Sequence, residues 1–164
     1  MIVVVMGVSG SGKSAAGSAL ASRLGWRFFD ADDFHPPENV ERMRAGIPLD
    51  DTDRELWLAH LRDLLERTDL ADENAVLACS ALRRHFREQL RAAARDVRFV
   101  YLRGTFELIE LRLRARQGHF MPAALLRSQY EALEEPEDAL VVDVADELAT
   151  VVEHIVAGLG LRGE

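Results

Sequence analysis

The chain has 164 residues, 48% of them hydrophobic and 29% charged, with a formal net charge of -8. That is the size and composition of one soluble globular domain, and the acidic balance argues against a broad nucleic-acid-binding surface. No apolar run approaches the roughly 20 residues that span a bilayer, so no membrane partner is expected. The single cysteine, Cys79, cannot form an internal disulfide, and no Cys/His cluster suggests zinc. The N-terminal run lacks the basic leader of a secretory signal, so a cytoplasmic protein is expected.

Residues 2–6, IVVVM, are a continuous β-branched apolar run, as in a central parallel strand covered on both faces. Residues 13–24 read as a helix with Ala16, Leu20 and Leu24 on one face, stopped by Gly25. A second strand is predicted over 26–30, and a short helix over about 38–45 follows Pro36–Pro37. A long helix over 52–68 carries Leu56, Trp57, Leu61, Leu64 and Leu65 at helical spacing, with Thr52 or Asp53 as its N-cap. Strand 75–79 leads into an arginine-rich helix over 82–95. Strand 97–102 leads into helix 105–116 and the stretch QGHFMP. A helix over about 122–134, strand 139–144 and helix 146–159 complete the chain. Strands alternating with helices predict a three-layer α/β fold around a parallel sheet.

Residues 7–14, GVSGSGKS, fit G-x-x-x-x-G-K-[ST] between a strand and a helix, the context of a phosphate-binding loop. Glycines let successive backbone N–H groups converge on phosphate oxygens, and the helix start adds its positive end. Gly7, Val8, Ser9, Gly10, Ser11, Gly12, Lys13 and Ser14 are therefore expected to bind ATP, with the Ser14 hydroxyl also on Mg²⁺. Lys13 is the only lysine in the chain; every other basic residue is arginine. A tight loop around phosphates accepts a slim point charge better than a planar guanidinium.

Three features sort the nucleotide chemistry. A guanine-specifying N-K-x-D is impossible without a second lysine. The strand over 75–79 ends in ACSALRR, with no acidic pair of the kind motor ATPases use. The carboxylates lie instead in FFDADDFH, where Asp30 and Asp32 fall on one side of a strand end at the sheet edge that binds ligands. One suits the Mg²⁺ shell and the other suits accepting a proton from an attacking hydroxyl. Arg54 at a helix start, Arg83 and Arg84 after strand three, and Arg112 and Arg116 beside the QGHFMP loop are candidates for substrate and transition-state charge. Arg87, Arg91 and Arg114 are expected on the solvated surface. His35 and His119 are candidate substrate contacts, while His60 and His154 read as surface residues.

GVSGSGKS, DADDFHPPENVERM, LDDTDR, ACSALRRHFREQLR, ARQGHFMP and LLRSQYEALEEP together strongly resemble the gluconokinase family, small kinases related to shikimate kinase, over about residues 2–144. The resemblance implies a phosphate-loop kinase domain over 1–164 with strand order 2-3-1-4-5 and a small helical lid near 116–127. It implies ATP-dependent phosphorylation of D-gluconate at its 6-hydroxyl, with Mg²⁺, commonly in a homodimer. Residue by residue, it implies that Asp32 acts on the acceptor with Lys13 and Arg116 completing the catalytic set. Asp30 matches the metal-side acid, Arg54 the carboxylate-gripping arginine, and His119 and Gln129 further substrate contacts. His35, Ser80 and Arg83 can pair with the hydroxyls of such an acceptor. A kinase of the same fold acting on shikimate or another hydroxy acid, and a regulatory nucleotide-binding module without an acceptor, remain as alternatives.

Overall fold

The computed structural model describes residues 1–116 and 123–162. Five strands, β1 (Ile2–Met6), β2 (Arg27–Asp30), β3 (Ala75–Ala78), β4 (Val97–Arg103) and β5 (Leu140–Asp143), form one sheet in the order β2-β3-β1-β4-β5. Every neighbouring pair is parallel. The expected strand order and layered α/β architecture are therefore present.

The central strand explains the layering. All five residues of β1 are buried, and their side chains alternate between two cores. Val3 and Val5 join Leu20, Leu24, Val100, Leu102 and Ile155 on one face. Ile2, Val4 and Met6 join Trp57, Leu61, Leu65, Phe99 and Leu90 on the other. The first face is covered by α1 (Lys13–Leu24), α5 (Phe106–Ala115), α6 (Ala123–Ala132) and α7 (Leu148–Leu159). The second is covered by α3 (Asp51–Leu70) and α4 (Arg84–Ala92). A short helix α2 (Pro37–Arg44) precedes α3 and opens with Pro37 in its first turn, where a missing N–H costs nothing.

Most element bounds agree with the sequence reading to within two residues. The long helix departs at its start: its N-cap is Asp50, not Thr52 or Asp53. Asp53 is the N3 residue of a reciprocal capping box, in which Asp50 accepts from the Asp53 N–H at 2.8 Å and Asp53 accepts from the Asp50 N–H at 3.0 Å. Leu56 is 54% exposed, and Leu58 is buried in the core in its stead. The helix expected over 82–95 is shorter, because Arg83 keeps an extended backbone as its N-cap and Ala93 ends it. Arg87, expected in solvent, is buried. The turn after β2 is a 3-10 helix, Ala31–Phe34, that the sequence reading does not contain. Half of the expected lid near 116–127, residues 117–122 with His119 among them, lies outside the described residues, and 123–127 begin α6.

Among the described residues no helix is long and apolar enough to cross a membrane.

Candidate active site

The loop between β1 and α1 is shaped by glycines in the left-handed region. Gly10 sits at φ 80 and Gly12, the N-cap of α1, at φ 94. Gly12 has no side-chain cap, so the first N–H groups of α1, from Lys13 on, are left without a side-chain capping partner. That is a donor set for a phosphate group. Ser11 adds a buried hydroxyl with no hydrogen-bond partner among the described residues. Lys13 Nζ donates to the Val8 carbonyl at 3.0 Å, so the loop holds its own cation over its mouth. Burial pulls the Lys13 ammonium below its ordinary pKa. The carboxylates of Asp32 and Asp30 pull it back up, and Arg116 pushes it further down. A bound phosphate would supply the missing negative charge.

Asp30 ends β2 and uses its two carboxylate oxygens differently. Oδ2 accepts from Ser14 Oγ at 2.5 Å, while Oδ1 accepts from the Asp32 N–H at 3.0 Å and caps the 3-10 helix. One residue thus joins the phosphate loop to the turn that presents Asp32. The pairing expected from strand alternation is corrected here: Asp32 lies beyond the strand, and the capped turn, not the pleat, brings it to the site. Ser14 and Asp30 offer hard oxygens side by side at the loop mouth, the donor chemistry that suits Mg²⁺ alongside phosphate oxygens. Among the described residues no group of three His, Cys, Asp or Glu side chains is placed to hold a metal ion.

Asp32 has a side chain 90% exposed, yet burial of the cleft around it and the nearby Asp30 charge raise its pKa, against the opposing pull of Lys13 and His35. The carboxylate is open to water, with protein and a second acid close by. Its neighbour His35 is not an open substrate contact. The ring is only 7% exposed and stacks on Trp57 with centroids 4.7 Å apart and planes 6° apart. Trp57 in turn donates to the Ala31 carbonyl at 2.7 Å. His35 Nε2 faces Asp32 Oδ1 at 4.0 Å, and its buried Nδ1 has no partner among the described residues. His35 is therefore a wall of the cleft that backs Asp32.

Arg54 lies on the first turn of α3, within Coulombic reach of His35, and makes only a loose contact with Asp51 at 3.4 Å. Asp53, its neighbour, is fixed by Arg42 at 2.5 Å, and the Asp53 carbonyl accepts from buried Asn39 at 2.6 Å, so α2 anchors the helix end that carries Arg54. Ser80 follows β3, and its carbonyl accepts from the Gly7 N–H at 3.4 Å, against the base of the phosphate loop. Arg83 is exposed on the same segment. Cys79 beneath it is buried, its thiol pushed up to about 12 by desolvation, as expected of a core residue.

Two of the residues expected at ligands hold protein partners in this structure. Arg112 donates to the Val144 carbonyl, bracing the segment after β5. Gln129, expected at the acceptor, has both ends of its amide engaged by Ser9 of the phosphate loop. The sequence reading gave no role to Arg87, whose Nη1 donates to the carbonyls of Ala81 and Leu82.

A phosphate-binding loop opposite an acid at the carboxyl edge of a 2-3-1-4-5 parallel sheet defines the class of phosphate-loop kinases of small molecules. The family description "Shikimate kinase" matches residues 9–156. The chain is 44% identical to the thermoresistant gluconokinase of Escherichia coli, across 92% of this chain and 89% of that protein. It is 50% identical to the gluconokinase of Gluconobacter oxydans, across 88% and 82%. A crystal structure of a gluconokinase from Sinorhizobium meliloti superposes with a TM-score of 0.89 at 45% identity, covering 96% of this chain and 90% of that one. The chain belongs to the gluconokinases, within the shikimate kinase family.

Proposed function

We propose that this chain is a single kinase domain that transfers the γ-phosphoryl group of ATP to the 6-hydroxyl of D-gluconate, giving 6-phosphogluconate. The choice of acceptor rests on the likeness to named gluconokinases. The geometric observation that carries the chemistry is the Ser14–Asp30–Asp32 linkage, which sets a water-accessible carboxylate beside the cation of the phosphate loop.

In this reading the N–H groups at the start of α1 and Lys13 hold the β- and γ-phosphates. Mg²⁺, held by Ser14 with Asp30 close by, would neutralise phosphate charge when bound. Asp32 accepts a hydrogen bond from the 6-hydroxyl and takes its proton as the oxygen attacks phosphorus in line. Burial and the neighbouring Asp30 charge disfavour its ionised form and so favour its taking the proton. Arg116, close enough to Lys13 to depress its pKa, adds positive charge where the phosphoryl group moves. Arg54 grips the gluconate carboxylate through its planar fork, and Ser80 and Arg83 pair with hydroxyls. His35 packs against Trp57 close behind Asp32. The resemblance to gluconokinases supports a cytoplasmic homodimer; sedimentation of the purified chain checks the dimer, and fractionation of cells checks the compartment.

The test is product identification. Incubation with ATP, Mg²⁺ and gluconate should give one phosphorylated product whose phosphorus couples to the C6 protons in NMR. Phosphate on another carbon, or ATP binding with no acceptor-dependent turnover, would overturn the reading.

A further inference from the structure

Ala81, directly after Ser80, has φ 42, a left-handed backbone that is strained for a residue with a Cβ. It is also 2% exposed, so water cannot relieve its backbone. What holds it there is Arg87 from α4, itself 5% exposed. A single terminal nitrogen, Nη1, donates to the Ala81 carbonyl at 2.9 Å and to the Leu82 carbonyl at 3.0 Å. From the opposite side, Glu134 just beyond α6 donates its N–H to the Leu82 carbonyl at 2.9 Å and accepts from the Arg84 N–H at 2.6 Å.

Burying a guanidinium is expensive, and an apolar side chain of similar volume would fill the space under α4 at lower cost. Core packing alone does not explain an arginine here. Its Nη1 donors are spent on the strained turn of the segment that carries Ser80 and Arg83. Burial lowers the guanidinium's pKa, and Glu134 and Asp138 oppose that shift, so the cation is retained at a cost.

We infer that Arg87 is a positioning residue for the acceptor: it clamps residues 79–84 in their strained path and so sets where Ser80 and Arg83 meet the sugar acid. The acceptor half of this inference rests on the gluconate reading above; the clamp itself does not. Loss of the clamp lets Ala81 relax, which displaces Ser80 and Arg83 while leaving the donors at the start of α1 in place.

The experiment compares wild type, Arg87→Met and Arg87→Lys in the full chain, by initial rates and by hydrogen exchange of the ligand-free protein. Arg87→Met is expected to raise KM for gluconate at least roughly tenfold, as small misplacements of binding groups do, with KM for ATP changed by less than about twofold. Exchange should quicken in peptides covering 79–84 and stay unchanged in β1 and α1. Arg87→Lys, a cation that can still reach a carbonyl, should recover part of the loss. Unchanged exchange over 79–84, or both KM values rising together with a general loss of protection, would overturn the inference. If wild type fails to phosphorylate gluconate, the acceptor reading falls. The exchange result then decides the clamp alone: faster exchange confined to 79–84 upholds it, and unchanged exchange refutes it.

Discussion

Gln129 and Ser9 are joined through both ends of one amide. Gln129 Oε1 accepts from the Ser9 N–H at 2.7 Å, and Gln129 Nε2 donates to Ser9 Oγ at 3.0 Å. The pair ties α6 to the phosphate loop across 120 residues of sequence. Gln129→Ala removes both bonds, and two part-buried groups of Ser9 lose their partner. At about 1 kcal/mol of net loss, KM for ATP should rise roughly fivefold with KM for gluconate little changed. Initial rates with each substrate varied in turn check this. A rise in the gluconate KM alone would instead restore the acceptor contact that the sequence suggested.

Gly10 tests the packing of the loop on α5. At φ 80 its backbone already disfavours a side chain, and an added Cβ would lie 2.7 Å from Leu113 Cγ and 3.2 Å from Ile109 Cγ2. Gly10→Ala should cost about 1–3 kcal/mol of stability, from strain and overpacking together. Leu113→Ala costs stability of its own because Leu113 is buried, but it relieves the contact, so the double variant should lose less than the sum of the two single losses. Urea denaturation followed by tryptophan fluorescence measures both. Full stability of Gly10→Ala would contradict this account of the loop.

These two sites also show how far the sequence could be read. The phosphate loop was legible because its chemistry is local: glycine, lysine and serine at fixed spacing, between a strand and a helix. The sheet was legible because burial on both faces leaves uninterrupted apolar runs such as Ile2–Met6. Gln129 was not, because its partner lies on a distant segment and only tertiary packing brings them together. Arg87 carried a readable signal that its charge concealed. It stands three residues before buried Leu90 and next to buried Phe86, on the inward face of α4. The cap of α3 was ambiguous because Asp50, Asp51, Thr52 and Asp53 are four competing side-chain caps in a row. Only the backbone decides that Asp50 lies outside the first turn.

Asp32 separates chemistry from nucleotide binding. Asp32→Asn keeps shape and polarity but cannot take a proton. Turnover should fall by about 10²–10⁴-fold, the usual weight of general base catalysis. Affinity for a non-hydrolysable ATP analogue, measured by calorimetry, should stay near that of wild type. Unchanged turnover would remove Asp32 from the mechanism.

His35 predicts a pH dependence of stability. Burial against Trp57 holds its folded pKa below the ordinary value, and the pull of Asp32 only partly opposes this. The unfolded chain, with a pKa near about 6.5, therefore binds the proton more readily. The contribution is fully present above that pH and is lost as pH falls from there through the folded value. Between pH about 7.5 and about 5.5, wild type should lose more of its urea midpoint than His35→Phe, which keeps the stacking but cannot titrate. Other titrating groups are common to both proteins, except that Asp32 is coupled to His35, so the comparison is repeated in the Asp32→Asn background. Equal losses would mean that His35 does not carry the effect.

The central claim is that the phosphate loop and Asp32 serve a sugar-acid alcohol. The most direct measurement is kcat/KM of the purified protein with Mg²⁺ and ATP, assayed by coupled ADP release, against gluconate and shikimate in parallel. The account predicts efficient turnover with gluconate and little above background with shikimate. Turnover with shikimate and none with gluconate would contradict it.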